Sequence, residues 1–360
     1  MSRTRSIPAS LELLDRAARD APRLGARFGA GIRVTGLGDP HDDGRRVARV
    51  RFDAHITMIY KPRPVGPELI WYRAVRWLGR RAAAGPLLTP AIVARARYGW
   101  VEYLEPRRPA TAAAARRLGR RAGTLLALLD VLEVRDAHRD NLLVVGDQPV
   151  LVDAETIAHP RFAAFRRTPS LVLTGFLPGP DLDDDHAGLP AGLVSPDELI
   201  EGYRDGFGIL RAHGAELLRQ TGPLRGLATT PIRVILRPTA VYGQALEAPA
   251  TGWPRPGLPP PPIPLAGHRA VEAIERTALA NGDVPVFQCF GDGTDLMADG
   301  VIVVRRCFRT SGLAMVANRL GALSDTEERR SVELLRGVLA LDAWRRAPGT
   351  ATRGRSGRKS

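Results

Sequence analysis

Two lobes of α+β type, β-rich up to about residue 105 and helix-rich beyond it, are what this 360-residue sequence predicts. Three observations carry that expectation. Residues 31–61 read as β structure around a Gly-rich turn, with apolar and polar side chains alternating over 45–52 and 55–61, and residues 98–104 read as one more strand. Residues 110–134 form an Ala/Leu-rich helical stretch, apolar enough to be mostly buried. Directly after it, residues 142–152 read as a hairpin with polar groups at its open end.

The elements follow in order. Residues 1–30 read as a weakly helical, polar N-terminal extension. The N-lobe, residues 31–105, opens on a Gly-rich turn, Gly36 to Arg45, that lacks the G-x-G-x-x-G pattern. The strand that follows it carries Ala48, Val50 and Phe52 on one face. In the next strand, Ile56, Met58 and Tyr60 share a face, and Lys61 ends the other just before Pro62. Pro67 suits the first turn of a helix over 67–84. The C-lobe, 106–345, starts after a Pro106–Pro109 hinge. Ser195 and Glu198 read as the capping box of a helix over 195–218. Residues 231–242 alternate like a strand, and a solvated face is one of two readings of Arg233 and Arg237, the other being a functional role. Residues 179–194 are an acidic loop, 249–264 a stiff Pro-rich linker, and 267–281 and 324–344 helices flanking β segments at 284–290 and 301–307. Residues 346–360 read as a disordered basic tail.

Composition narrows the function. Hydrophobic content of 44% is ordinary for a globular chain, and no apolar run reaches the ~18 residues of a membrane span. The N-terminus shows no secretory h-region, and two cysteines make no metal-spacing motif, so a cytoplasmic location is expected. The net charge of +14 invites a nucleic-acid reading. Against it, only two of the 52 basic residues are lysine, which marks an arginine coding bias, and no basic-aromatic platform is present. Nucleic-acid binding is therefore not expected. Lys61 is then the one lysine outside the tail, at a place where a compact point charge suits a narrow phosphate pocket.

The chemistry gathers at 136–155. A two-residue Gly146-Asp147 loop sets a register that puts Asn141 within roughly 5 Å of Val152 and Asp153. Oxygen ligands from Asn141 and Asp153 suit Mg²⁺. The interval from Asp136 to Asn141, D-x4-N, equals that of a kinase catalytic loop, in which the Asp is the base and the Asn a metal ligand. Asp153 arrives at a strand end, where a kinase has its second metal ligand, though no Phe-Gly follows it. Glu68 is a candidate partner for Lys61. A kinase-like site results: lysine on phosphates, Asn and Asp on metal, Asp136 as base.

Seven stretches together resemble the dehydratase domain of LanM-type (class II) lanthipeptide synthetases. They are Gly38-Asp39-Pro-His41-Asp-Asp-Gly44-Arg45, Tyr60-Lys61-Pro62-Arg63, Tyr98-Gly99-Trp100-Val101-Glu102, Asp136-x-His138-x-x-Asn141, Asp153-x-Glu155, Thr174-Gly-x-Leu-Pro178 and Arg233-x5-Thr239-x-x-Tyr242. The resemblance implies a lipid-kinase-related bilobal fold that uses ATP and Mg²⁺. It implies phosphorylation of Ser and Thr in a ribosomally made precursor peptide, then elimination of phosphate to leave dehydroamino acids. It assigns Lys61 to the ATP phosphates, Asp136 and His138 to catalysis, and Asn141 and Asp153 to the metal. Asp39, His41 and Glu155 go to the nucleotide side, and Thr174, Arg233 and Thr239 to elimination. The family's zinc-binding cyclase domain and most of its N-terminal extension are missing here, which implies a stand-alone dehydratase with a separate cyclase as partner. A kinase that hands phosphopeptide to a separate lyase, and a non-catalytic precursor-binding pseudokinase, stay open as alternatives.

Overall fold

Alternating strands in the first hundred residues become a five-stranded antiparallel sheet. A computed structural model describes residues 9–29, 31–41, 44–53, 56–165, 167–178, 188–189, 192–247 and 258–346, without the side chains of 38–41, 239–240 and 342–346. Helix α1 (Ala9–Asp20) precedes β1 (Arg33–His41), β2 (Arg45–Arg51) and β3 (Thr57–Lys61). Helix α2 (Gly66–Gly79), β4 (Ile92–Ala94) and β5 (Gly99–Glu102) complete the lobe, with strand order β1-β2-β3-β5-β4. Period-two alternation in β3 sends Met58 and Tyr60 to one face and Lys61 to the other. Met58, Tyr60, Val50 and Trp100 pack beneath Leu13 and Ala17 of α1. The expected N-terminal extension is thus integral to the lobe from residue 9, because its apolar stripe covers a sheet face. Asp20 locks α1 in place. It is fully buried, pairs with Arg95, and accepts hydrogen bonds from Tyr98 Oη and Trp100 Nε1, both at 2.9 Å. Burial opposes its charge, and these partners outweigh that and lower its pKa.

The C-lobe begins with α3 (Ala112–Val131), N-capped by Thr111, whose Oγ1 accepts from the Ala114 amide. It continues through β6 (Leu142–Val145), β7 (Gln148–Leu151), α4 (Ser170–Leu173), α5 (Pro196–His213), β8 (Pro231–Val234), α6 (Thr239–Glu247) and α7 (His268–Ala280). It ends with β9 (Phe287–Phe290), β10 (Leu296–Ala298), β11 (Val301–Val304), α8 (Gly312–Gly321) and α9 (Asp325–Arg346). Strands β8 to β11 form a second antiparallel sheet, and β6 and β7 the hairpin. The β-rich and helix-rich lobes are those the sequence predicts. Helices α3 and α5 touch backbone to backbone at two glycines. A Cβ on Gly123 would lie 1.9 Å from the Leu199 carbonyl oxygen, and one on Gly202 1.8 Å from that of Arg120.

Several local expectations change. The strand over 231–242 stops at Val234, and α6 begins at Thr239, because Pro238 ends extended pairing and suits entry to a helix. Arg237 is not on a solvated face; it is buried in a two-pronged ion pair with Glu275, at 2.8 and 2.9 Å. The Ser195–Glu198 capping box does not form, since Glu198 turns instead to Arg120 Nε at 2.6 Å. The helix expected over 67–84 ends at Gly79. Of the Pro-rich segment, residues 249–257 lie outside the described residues, while Pro261 and Ile263 are buried rather than exposed. The basic tail beyond 346 and most of the acidic loop, 179–187 and 190–191, also lie outside the described residues. Among the described residues no helix is long and apolar enough to cross a membrane.

Candidate functional site

The hairpin forms in the register its Gly-Asp loop predicts. Leu142 faces Leu151, Val145 faces Gln148, and the Val152 amide donates to the Asn141 carbonyl at 2.8 Å. Gly146 adopts φ 66°, as the first position of a two-residue hairpin turn requires. Asp153 and Glu155 therefore emerge beside Asn141, below the edge where β3 ends.

Two clusters meet there. In the first, Lys61 Nζ lies 2.9 Å from Glu68 Oε1 on α2, 3.1 Å from Asp153 Oδ1 and 3.1 Å from the Val152 carbonyl. Lys61 is 4% exposed and Glu68 fully buried, so the pair ties sheet, helix and hairpin together away from water. Arg63, two residues on from Lys61, reaches Glu68 Oε1 and Asp153 Oδ1, each at 2.7 Å, and Glu155 Oε2 at 2.8 Å. Glu155 passes the chain of charges to Arg233 through its other oxygen, and its carbonyl accepts the Arg233 amide at 2.9 Å. Burial would raise the Asp153 pKa, but Lys61 and then Arg63 hold it well below the usual carboxylate range. Glu68 is lowered in the same way by Arg63 and Lys61. Glu155, ahead of the opposing effect of burial, raises the Arg233 pKa.

The second cluster is the turn that delivers the hairpin. Asn141 Nδ2 donates to the Asp136 carbonyl at 2.9 Å and to its Oδ2 at 3.2 Å. His138 Nε2 is 3.2 Å from Asp136 Oδ1, and His138 Nδ1 accepts the Asp140 amide at 3.3 Å. The proton of neutral His138 therefore sits on Nε2, and the hydrogen bond to Asp136 raises its pKa. Asp136 itself has φ 64°, a left-handed backbone that Asp tolerates and most residues resist. The Ala137 amide, bonded to the Thr174 carbonyl at 2.8 Å, pins that conformation. Thr174 is fully buried. Its hydroxyl donates to the Leu171 carbonyl at 2.8 Å and accepts the Phe176 amide at 3.2 Å, so it shapes the turn next to Asp136.

The structure thus brings Lys61, Asp153, Glu155 and Arg233 into one ion cluster, with Arg63 as the link, and Asp136, His138 and Asn141 into the adjoining one. Asp39 and His41 lie on β1 and Thr239 at the start of α6, and the side chains of all three fall outside the described residues. Arg63 is the residue sequence reasoning missed as a site member. Its signal was its place in Lys-Pro-Arg, where Pro62 turns the chain back towards the lysine. The donor set fits Mg²⁺. With Nδ2 turned to Asp136, Asn141 offers Oδ1, and Asp153 offers Oδ2 beside an Oδ1 already shared by two cations. Among the described residues no three His, Cys, Asp or Glu group together as a metal cage.

Behind Glu155, His159 is a pH-sensitive part of the frame. Its Nε2 accepts the Ile235 amide at 3.0 Å and its Nδ1 faces the Pro160 carbonyl at 2.8 Å, a pattern only the neutral ring satisfies. Burial, then Arg135, depresses its pKa to about 3. Below the unfolded value of about 6.5 the unfolded chain gains a proton that the folded chain refuses. Stability should therefore fall with acidity from pH 6.5 towards 3, by up to about 1.4 kcal/mol per pH unit. His138 opposes this more weakly, its contribution being lost as pH rises. Urea midpoints of the native chain and His159→Gln at pH 7 and pH 5 check it, and an unchanged slope in the variant would refute it.

Comparison with known proteins adds three findings. The model of a family described as a domain of unknown function (DUF4135) matches residues 3–195 and 196–251. The chain is 30% identical over 126 residues to the lacticin 481/lactococcin biosynthesis protein LcnDR2 of Lactococcus lactis subsp. lactis, a match covering 30% of this chain and 14% of that protein. The match thus spans only a small part of that relative. A solved structure, the apoenzyme of macrolide 2'-phosphotransferase MphH from Brachybacterium faecium, aligns over 94% of this chain and 86% of its own, at 15% identity and a TM-score of 0.22. That score is too low to carry an argument, so the fold rests on the sheet order and ion pairs above.

Proposed function

This chain belongs to the family described as a domain of unknown function (DUF4135), and from that membership and its Lys61–Asp153 site we propose that it is a peptide Ser/Thr kinase–lyase of lanthipeptide-type biosynthesis. The observation that carries the proposal is Lys61, buried between Glu68 of α2 and Asp153 of the hairpin, beside a hydrogen-bonded Asp136–Asn141 pair. Phosphoryl transfer needs those parts and few others. The likeness to a lacticin 481/lactococcin biosynthesis protein supports a precursor peptide as the acceptor.

In this reading ATP is the phosphoryl donor, and Asn141 and Asp153 would hold a Mg²⁺ ion that would supply positive charge against the ATP phosphates. Lys61 adds a fixed cation there. Asp136 takes the proton of the Ser or Thr hydroxyl as the hydroxyl oxygen bonds to the γ-phosphorus of ATP, the P–O bond to ADP breaks, and ADP leaves with that electron pair. Asn141 and His138 orient the Asp136 carboxylate, each on one oxygen. For elimination, a base removes the Cα proton, the Cβ–O bond breaks, and phosphate departs with that electron pair. Arg233 stabilises the departing charge, its guanidinium aimed by Glu155.

Co-expression with a precursor peptide and mass spectrometry tests this. The native chain should give loss of one water per modified residue. Arg233→Gln should give a lasting phosphoryl gain instead, because only the second step loses its cation. An unmodified peptide with the native chain would overturn the proposal. A phosphoryl gain with the native chain selects the second reading, a kinase with a separate lyase, which the burial of the Thr174 hydroxyl within its own turn favours.

A further inference from the structure

Away from the Asp136 site, α2 turns a row of arginines outward. Arg73, Arg76 and Arg80 follow at helical spacing, and the loop after α5 brings Arg219 and Arg225 to face them. Together they line a cleft of about 630 Å³. Five guanidinium groups repel one another unless something anionic balances them. The carboxylate in the cleft, Glu216, is already held by Arg81 at 2.7 Å and by Trp77 Nε1 at 3.0 Å. Among the described residues, the Arg76 side chain bonds only the Thr89 hydroxyl, at 2.9 Å, and that of Arg73 only the Arg225 carbonyl, at 2.8 Å. Arg73 Nε is buried with no hydrogen-bond partner among the described residues. Burial, then Arg225 and Arg76, lowers the Arg73 pKa, as expected of a cation crowded by its own kind.

We propose that this cleft between α2 and the 219–225 loop is a binding site for an acidic peptide segment. Guanidinium forks pair bidentately with carboxylates, and a row of them at helix spacing matches successive acidic side chains better than one compact anion. The volume lies in the range of pre-formed ligand sites, large enough for a few residues of chain. The cleft offers no ring for base stacking: Trp77 is 4% exposed, and Arg81 lies over it at 4.5 Å. Leu69 and Pro223 add apolar contact at its edge, which a peptide uses and a nucleic-acid backbone does not. The site is independent of the chemistry assigned to Asp136.

Fluorescence anisotropy of a labelled hexaglutamate peptide at physiological ionic strength tests it. The native chain should bind this peptide and not hexaglutamine. The exposed double reversal Arg76→Glu/Arg80→Glu should weaken binding by about tenfold or more, with the melting temperature held. If that variant does not fold, Arg219→Gln in the loop should weaken binding several-fold. Equal affinity in the folded variants would overturn the proposal. So would equal binding of hexaglutamine, displacement by inorganic phosphate at matched charge, or tighter binding of a single-stranded oligonucleotide of matched charge.

Discussion

Asp136→Asn is expected to slow phosphoryl transfer by about a hundred- to ten-thousand-fold while leaving the fold intact. Asn keeps an oxygen to accept the Asn141 Nδ2 hydrogen bond, and its size is unchanged. It also tolerates the left-handed backbone found at this position, φ 64°. What it cannot do is receive the hydroxyl proton. Asp136→Ala should lose activity too, and in addition about 1 kcal/mol of stability, since Ala resists that backbone. Single-turnover phosphate incorporation and a thermal melt on the same samples separate the two effects. Activity within a few-fold of native in Asp136→Asn would remove Asp136 from the role of base. Asp136→Asn should also let the His138 pKa fall, because the hydrogen bond that His138 donates to Asp136 is the first cause of its elevation.

Gly202→Ala should destabilise the chain by about 3 kcal/mol or more, against a small gain from Gly208→Ala about 1.7 turns along the same helix. Both substitutions put a better helix former into α5. At Gly208 a Cβ meets nothing within 4 Å. At Gly202 it would lie 1.8 Å from the Arg120 carbonyl oxygen, and backbone cannot step aside as a side chain can. The axes of α3 and α5 would have to separate, breaking the reciprocal approach at Gly123 and the Thr124 Oγ1 hydrogen bond to the Gly202 carbonyl, 3.2 Å. Because α3 leads the chain towards Asp136, activity should fall with stability in this variant and not in Gly208→Ala. Urea midpoints decide it; equal shifts in the two variants would show that α3 and α5 are not in backbone contact.

How much of this was legible beforehand depends on the range of the interaction. The β6–β7 register followed from a two-residue turn, because side-chain alternation and turn length leave one pairing that buries the apolar runs. The D-x4-N spacing put Asn141 back on Asp136 because five residues of tight turn have little room to do otherwise. The lysine count singled out Lys61, which indeed ends β3, buried and paired. Where reading failed, a distant partner outweighed a local rule. Glu198 leaves its capping box for Arg120, 78 residues away, and Arg237 is drawn inside by Glu275.

By itself, then, the sequence determined the two-lobe order of strands and helices, the hairpin and the identity of the groups at its open end, because these depend on periodicity and on chain segments a few residues long. Gly36 to His41, which read as turn, instead belong to β1 and its pairing with β2. Only the tertiary structure decided that Arg63 joins Glu68, Asp153 and Glu155, that Arg233 is aimed by Glu155, and that the arginines of α2 share a cleft with the 219–225 loop. Each of those arrangements is set by charges brought together from segments far apart in sequence. Their energy depends on burial and on distances of about 3 Å, neither of which exists until the lobes have packed.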